Sequence, residues 1–189
     1  MFVIQKKKWA IGGLGVALLM AIGGLLMWGG TTAIHLTNST EFCISCHEMQ
    51  TNNYTEYAET IHAKNRTGVQ AGCADCHVPH DTMGMLKRKV FAANDVWHHL
   101  LGTIDTREKF EARRSELATS VWRHMKATDS QECRNCHNVK AMDTQLQGPT
   151  AIKQHKRMAT ENKTCIDCHY GIAHHEPIDI EPADLKEPK

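Results

Sequence analysis

Four pentapeptides limit what this 189-residue chain can fold into. They are Cys43-Ile44-Ser45-Cys46-His47, Cys73-Ala74-Asp75-Cys76-His77, Cys133-Arg134-Asn135-Cys136-His137 and Cys165-Ile166-Asp167-Cys168-His169. In C-x-x-C-H, two thiols are spaced to bond the vinyl groups of one porphyrin while the next imidazole reaches its iron. A single copy also suits a zinc knuckle or chance. Four copies use all eight cysteines and leave none for a disulfide. Zinc pairing gives no reason for a histidine after every second cysteine, so four covalently bound haem c are the expected cofactors.

Composition agrees with a chain organised by cofactors. Net charge is +1, which implies no bulk attraction to nucleic acid, and only 6% of residues are aromatic. Such a chain is short of core-forming side chains, and haem faces must supply much of the missing apolar surface. The apo-protein is expected to be largely unfolded. From what is known of c-type cytochromes, attachment occurs outside the bacterial cytoplasm.

The chain opens with Lys6-Lys7-Lys8, followed by 21 uncharged residues from Ala10 to Gly30. That run is close to the ~20 residues needed to cross a bilayer as a helix. Trp9 and Trp28 stand near its ends, where indole rings favour the interface, and the lysines favour the cytoplasmic side. A cleaved signal peptide has a shorter apolar core followed by an A-x-A-like site, which is poorly matched here. The expected division is a cytoplasmic terminus at 1–8, a transmembrane anchor at 9–30, a periplasmic haem domain at 31–175 and a disordered, Pro-rich tail at 176–189. Gly13, Ala17 and Ala21 form a small-residue stripe that suits helix packing or ordinary membrane composition. The twelve residues from Thr31 to Phe42 reach at most about 40 Å, which keeps the first haem near the membrane.

Motif spacing divides the rest in two. The cysteines start at 43, 73, 133 and 165, giving gaps of 30, 60 and 32 residues. His62 lies 11 residues before Cys73 and His155 lies 10 before Cys165; His80 follows His77 by three and His174 follows His169 by five. Of the nine histidines outside the motifs, these four occupy equivalent places and are the candidate distal ligands. The fold class is therefore mainly α: one N-terminal transmembrane helix plus a small multihaem cytochrome c domain with few regular elements and a two-half internal repeat.

Between the halves, Asp81 is placed to cap a helix over residues 82–104, with Leu86, Val90, Trp97, Leu101 and Ile104 at helical spacing. At about 100° per residue, Arg88, Asp95 and His99 share another face. Two readings stand: a core helix with a solvated polar face, or a helix lying on lipid with Lys87-Arg88-Lys89 against headgroups. A second helix is expected over 107–127, opened by the box-like Asp105-x-x-Glu108 and burying Phe110, Leu117, Val121 and Met125. His124 lies near that stripe as a packed histidine.

The anchor, the four motifs and the runs FCISCHEM, ETIHAKNRTGV, CADCHVPH, DSQECRNCHN and TCIDCHYGIAH together resemble the NapC/NirT family of membrane-anchored tetrahaem quinol dehydrogenases. The resemblance covers nearly the whole chain except the tail. It implies oxidation of menaquinol or ubiquinol from the membrane pool at the outer face of the inner membrane of a Gram-negative bacterium. Electrons then pass to a periplasmic reductase. Segments 105–112 and 131–133 look most like the branch serving periplasmic nitrate reductase, reached through its dihaem cytochrome subunit.

A general quinol-to-periplasm hub, or service to a nitrite reductase, stays open. A terminal reductase commonly replaces one motif histidine by lysine, and all four motifs here keep theirs. The resemblance also implies roles. Asp95 matches an acid lining the quinol site, and Arg88 or Lys89 the basic residue beside it. Met49 matches a methionine that in the nitrite-reductase branch binds haem 1 in place of the motif histidine, so His47 and Met49 both stand as ligands. Crossed ligation follows: His155 on haem 2, His62 on haem 3, His80 on haem 4, and His174 on haem 1 or nothing. His98 and His99 lie outside that pattern.

Overall fold

The computed structural model describes residues 2–158 and 160–185, with side chains from residue 12 onward. Among these residues there is no β-strand. The chain divides into two units, residues 1–39 and 40–189.

The first unit is one helix, α1 (Phe2–Leu36). Its stretch Gly12–Leu36, 25 residues of mean hydropathy 1.8, is long and apolar enough to cross a membrane. It rises about 37 Å at 1.5 Å per residue, more than the ~30 Å hydrocarbon thickness. The helix runs past the expected end at Gly30 because nothing there breaks it. Thr31 and Thr37 return their hydroxyls to the carbonyls of Met27 and Ala33, a bond that lets threonine sit in a helix without competing for its ladder. Only residues 37–39 then precede α2.

The second unit holds α2 (Thr40–Cys43), α3 (Thr55–Tyr57), α4 (Cys73–His77), α5 (Thr82–Leu100), α6 (Arg107–Ala127), α7 (Gln131–Arg134) and α8 (Pro149–Met158). A π-helical stretch covers Met49–Tyr54, and a 3-10 turn covers Cys165–Asp167. Every motif therefore lies on or against a single helical turn.

Asp81 caps α5 as expected, its Oδ1 accepting from Gly84 N at 2.7 Å. The helix ends at Leu100 rather than Ile104, because Gly102 takes φ +60° and Thr103 folds back, its amide and hydroxyl both donating to the His98 carbonyl. A positive φ costs glycine little and halts the ladder. α6 has the expected bounds, but its cap is Thr106, whose hydroxyl accepts from Lys109 N at 3.3 Å. Asp105 is instead engaged by Lys109 Nζ at 2.6 Å.

α6 buries Phe110, Arg114, Trp122 and Met125, while Leu117 stays exposed. The inward stripe thus carries an arginine at a position where hydrophobic periodicity looks for carbon. Trp122 and Met125 form the core with Ile166 and Leu185, flanked by Ala118, Val121, Tyr170 and Ile180.

This cluster takes in Ile180 and Leu185, from the stretch after Glu176 where the sequence suggests disorder. Pro182 is fully buried, Leu185 is in the core, and Lys126 Nζ holds both Asp167 (2.7 Å) and the Pro182 carbonyl (3.1 Å). Apolar residues interspersed among the tail's charges do this; residues 186–189 lie outside the described residues. Among the described residues, seven hydrophobic side chains are buried.

Candidate haem sites and quinol face

The motifs contact one another in sequence order. Cys43 and Cys73 share a thiol hydrogen bond, which pushes Cys43 up and Cys73 down to about 6. Cys133 and Cys165 do the same, with Cys165 drawn down to about 6. Within each pair, a hydroxyl three residues ahead of the earlier motif reaches the later one: Thr40 hydrogen-bonds Cys73, and Ser130 Oγ accepts from Ile166 N at 3.2 Å. The aspartates inside the second and fourth motifs each accept the amide just ahead of their own motif, Asp75 from Gly72 and Asp167 from Thr164, both at 2.7 Å. Asp129 and Ser130 hold left-handed φ of 53° and 50° to make the turn from α6 into the third motif. Non-glycine residues pay about 1–3 kcal/mol for such φ and adopt it where the surroundings fix it; here the buried Ser130 is that fixture.

Each motif histidine has a second histidine ring opposite it. His62 faces His137 at 6.3 Å between ring centroids, His174 faces His77 at 6.2 Å, His155 faces His169 at 6.0 Å, and His99 faces His47 at 6.1 Å. An iron about 2 Å from each of two imidazole nitrogens sets the ring centres roughly 6 Å apart. The four spacings therefore fit one iron each.

Burial, with His174 alongside, holds His77 down to about 4, so its ring is neutral, the form that binds metal. Burial also lowers His174. The Nδ1 atoms of His62 and His174 are buried without a hydrogen-bond partner. His155 Nδ1 lies 2.9 Å from Gln147 Oε1, the outer contact that commonly fixes a ligating ring.

The pairing departs from the crossed assignment in three places. His155 faces the fourth motif rather than the second, because α8 lies against the motif that follows it in the chain. His174 faces the second motif rather than the first, because the loop carrying His175 is clamped: Glu56 accepts from His175 N at 2.9 Å and Arg114 donates to the His175 carbonyl at 3.0 Å. His80 faces no motif histidine; half-exposed, it lies 3.9 Å from Asp75. His62 faces the third motif; its carbonyl accepts from Ala71 N (3.1 Å), and Tyr57 Oη donates to the Ala71 carbonyl (2.5 Å).

The residue that sequence reasoning set aside is His99. Its Nδ1 is 2.7 Å from Oε1 of the buried Glu48, which also lies 3.5 Å from His47 Nδ1. Burial pushes Glu48 up, but its own amide and His99 outweigh this and hold it below the ordinary carboxylate value. Cys46, Glu48 and His99 come within 4.8 Å of one another. The signal was present: His99 shares a helix face with Asp95, and Glu48 sits between two candidate ligands.

His47 differs from the other motif histidines, since its Nε2 lies 3.1 Å from the Asp105 carbonyl oxygen. Met49 Sδ accepts from Asn53 Nδ2 at 3.4 Å. On α5, Arg88 Nη2 is 3.1 Å from Asp95 Oδ2, with Asp95 well exposed rather than desolvated. Burial lowers Lys89, which lies within electrostatic reach of Cys43.

A family model described as the NapC/NirT cytochrome c family, N-terminal region, matches residues 5–179. The chain belongs to that family. Its NapC/NirT relatives include the denitrification system component NirT of Stutzerimonas stutzeri, 52% identical over 164 residues, covering 86% of this chain and 82% of that one. The cytochrome c-type protein NapC of Escherichia coli K12 is 47% identical over 173 residues, covering 89% and 86%. The cytochrome c-type protein TorC of the same strain is also 47% identical, over 91% of this chain but 44% of its own length. No solved structure matches. A putative tetrahaem cytochrome of Allochromatium vinosum, 48% identical over 95% of this chain and 96% of its own, agrees with eight cysteines arranged for four haem c.

Proposed function

We propose that this NapC/NirT cytochrome oxidises quinol from the membrane and hands the electrons to a periplasmic reductase, with α1 as its anchor and the haem domain in the periplasm. The observation that carries the reading is the one face of α5 that bears Arg88, Asp95 and His99, with His99 held by Glu48 beside the first motif.

Bound haem supplies one-electron acceptors in series, their potentials set by axial ligands and burial. Cys43 and Cys46, Cys73 and Cys76, Cys133 and Cys136, and Cys165 and Cys168 would hold the four groups. His77 with His174, His137 with His62, and His169 with His155 would supply the ligands of the second, third and fourth. At the first, His99 lies opposite the motif side, where His47 and Met49 are the two donors. The Cys43–Cys73 and Cys133–Cys165 contacts support two haem pairs joined through Cys76 and Cys136, which lie within electrostatic reach.

Quinol becomes quinone by losing two electrons and two protons. Asp95 receives a hydroxyl proton at its carboxylate and passes it to water, to which it is open, before the second arrives. Arg88 holds that carboxylate on the helix face and offers its remaining N–H groups to the quinol oxygen. Lys89 adds positive charge beside Cys43, where electrons first arrive.

The resemblance in segments 105–112 and 131–133 favours nitrate reductase as acceptor, through its dihaem subunit. The relatives named NirT and TorC support a second reading, a hub serving other reductases. Vesicles carrying the loaded protein, given quinol and one purified reductase at a time, separate these. Nitrate consumption is expected; electron delivery to a nitrite reductase with none to nitrate reductase would overturn that assignment.

A further inference from the structure

The helix α5 is turned opposite to a core helix. Of its partly covered residues, Met85, Arg88, Lys89, Ala92 and His99 lie on one side, and Gly84 and His98 lie off it. Its apolar stripe, Met83, Leu86, Val90, Trp97 and Leu101, lies outward, with Val90 73% and Trp97 58% exposed. At about 100° per residue the two faces are centred roughly half a turn apart. No residue of α5 is buried. The inward side is fixed by contacts already described, His99 on Glu48 and Lys89 beside Cys43.

We propose that this stripe lies in the surface of an anionic lipid bilayer, α5 running in the membrane plane. Three observations name lipid as the occupant. Lys87 is exposed at one margin of the stripe, where a long basic side chain reaches headgroup phosphates while the carbon face sinks in. Trp97 stands in the stripe, and indole favours the interface. The same chain carries a membrane-length helix that ends at Leu36, with three residues between it and Thr40, where the haem unit begins. The inference rests on α1 as the anchor and goes beyond the quinol reading.

The test is photo-crosslinking of the full-length, haem-loaded protein in vesicles of about three parts phosphatidylcholine to one part phosphatidylglycerol. A benzophenone side chain replaces Leu19 in α1, Val90 in α5 or Glu116 on the exposed side of α6, with four haems verified by absorbance in each variant. Lipid adducts are expected at Leu19 and Val90, with several-fold lower yield at Glu116. Adducts at Leu19 but not above the Glu116 level at Val90 overturn the docking and leave the anchor standing. Absence at Leu19 overturns the anchor itself. Adducts of Val90 with a second copy or another protein, rather than lipid, overturn lipid as the occupant.

Discussion

Arg114 and Glu56, 58 residues apart in sequence, are joined by hydrogen bonds of 2.6 and 3.0 Å and are both buried. Arg114 also holds Glu111 through Nε at 2.6 Å, and its guanidinium lies 4.8 Å over the Phe110 ring. Between them the pair grips both the amide and the carbonyl of His175. The neighbouring His174 is thereby set against His77.

Removing one partner from a buried ion pair strands the other, at a cost of about 3–5 kcal/mol. Arg114→Ala is expected to destabilise the loaded protein by about that much in denaturant unfolding and to disturb the low-spin resonance of the second haem. Arg114→Lys, which keeps charge but loses the fork, should fall between. Unchanged stability and spectrum in Arg114→Ala would show that the clamp positions nothing.

The same knot predicts an acid limit. Burial raises Glu56, but hydrogen bonds from Arg114 and His175 N prevail and hold it below its ordinary 4.5; hydrogen bonds from Arg114 hold Glu111 down to about 2. A carboxylate depressed in the folded state adds stability that is complete above its unfolded value and lost as pH falls through the folded one. The melting temperature should be level above about pH 5 and drop from about pH 4.5 toward 2. Glu56→Gln should melt lower at neutral pH, with the gap to the native protein closing in that acid window. A constant gap would contradict this.

Asp95→Asn keeps the hydrogen bond to Arg88 but cannot accept a proton at neutral pH. Quinol oxidation should fall by about two to four orders of magnitude, the usual worth of a positioned base, with all four haems in place. Turnover at the native rate removes Asp95 from the reaction.

The ring pairs make a sharper claim at the first haem. In paramagnetic resonance of the oxidised protein, His99→Ala should alter the first haem and His80→Ala should leave all four unchanged. Met49→Leu and His47→Ala then separate the two motif-side donors: whichever changes the first haem's spin state is its ligand. A response to His80→Ala with none to His99→Ala would restore the ligand assignment drawn from the resemblance.

The helices, their order and the four motifs were legible because cysteine spacing, hydrophobic period and the Asp81 cap are local signals. The departures all depend on contacts distant in sequence. Arg114 occupies a core position that periodicity assigns to carbon, because Glu56 reaches it from another element. The α5 stripe has the period of a core helix, and nothing local tells an inward stripe from an outward one; the His99–Glu48 contact does. His80 and His174 hold equivalent places along the chain, yet only His174 lies on a loop that a distant ion pair can clamp. The tail's Pro182 and Leu185 were hidden among charges, and Lys126 with Ala118, Val121 and Trp122 supplies their partners.

The central claim is that electrons arrive from quinol. The fully loaded, oxidised protein, mixed in detergent with reduced menaquinone or ubiquinone analogues, should develop the absorption of reduced c-type haem without added enzyme. If the haems stay oxidised with every quinol yet are reduced at once by dithionite, the account is contradicted.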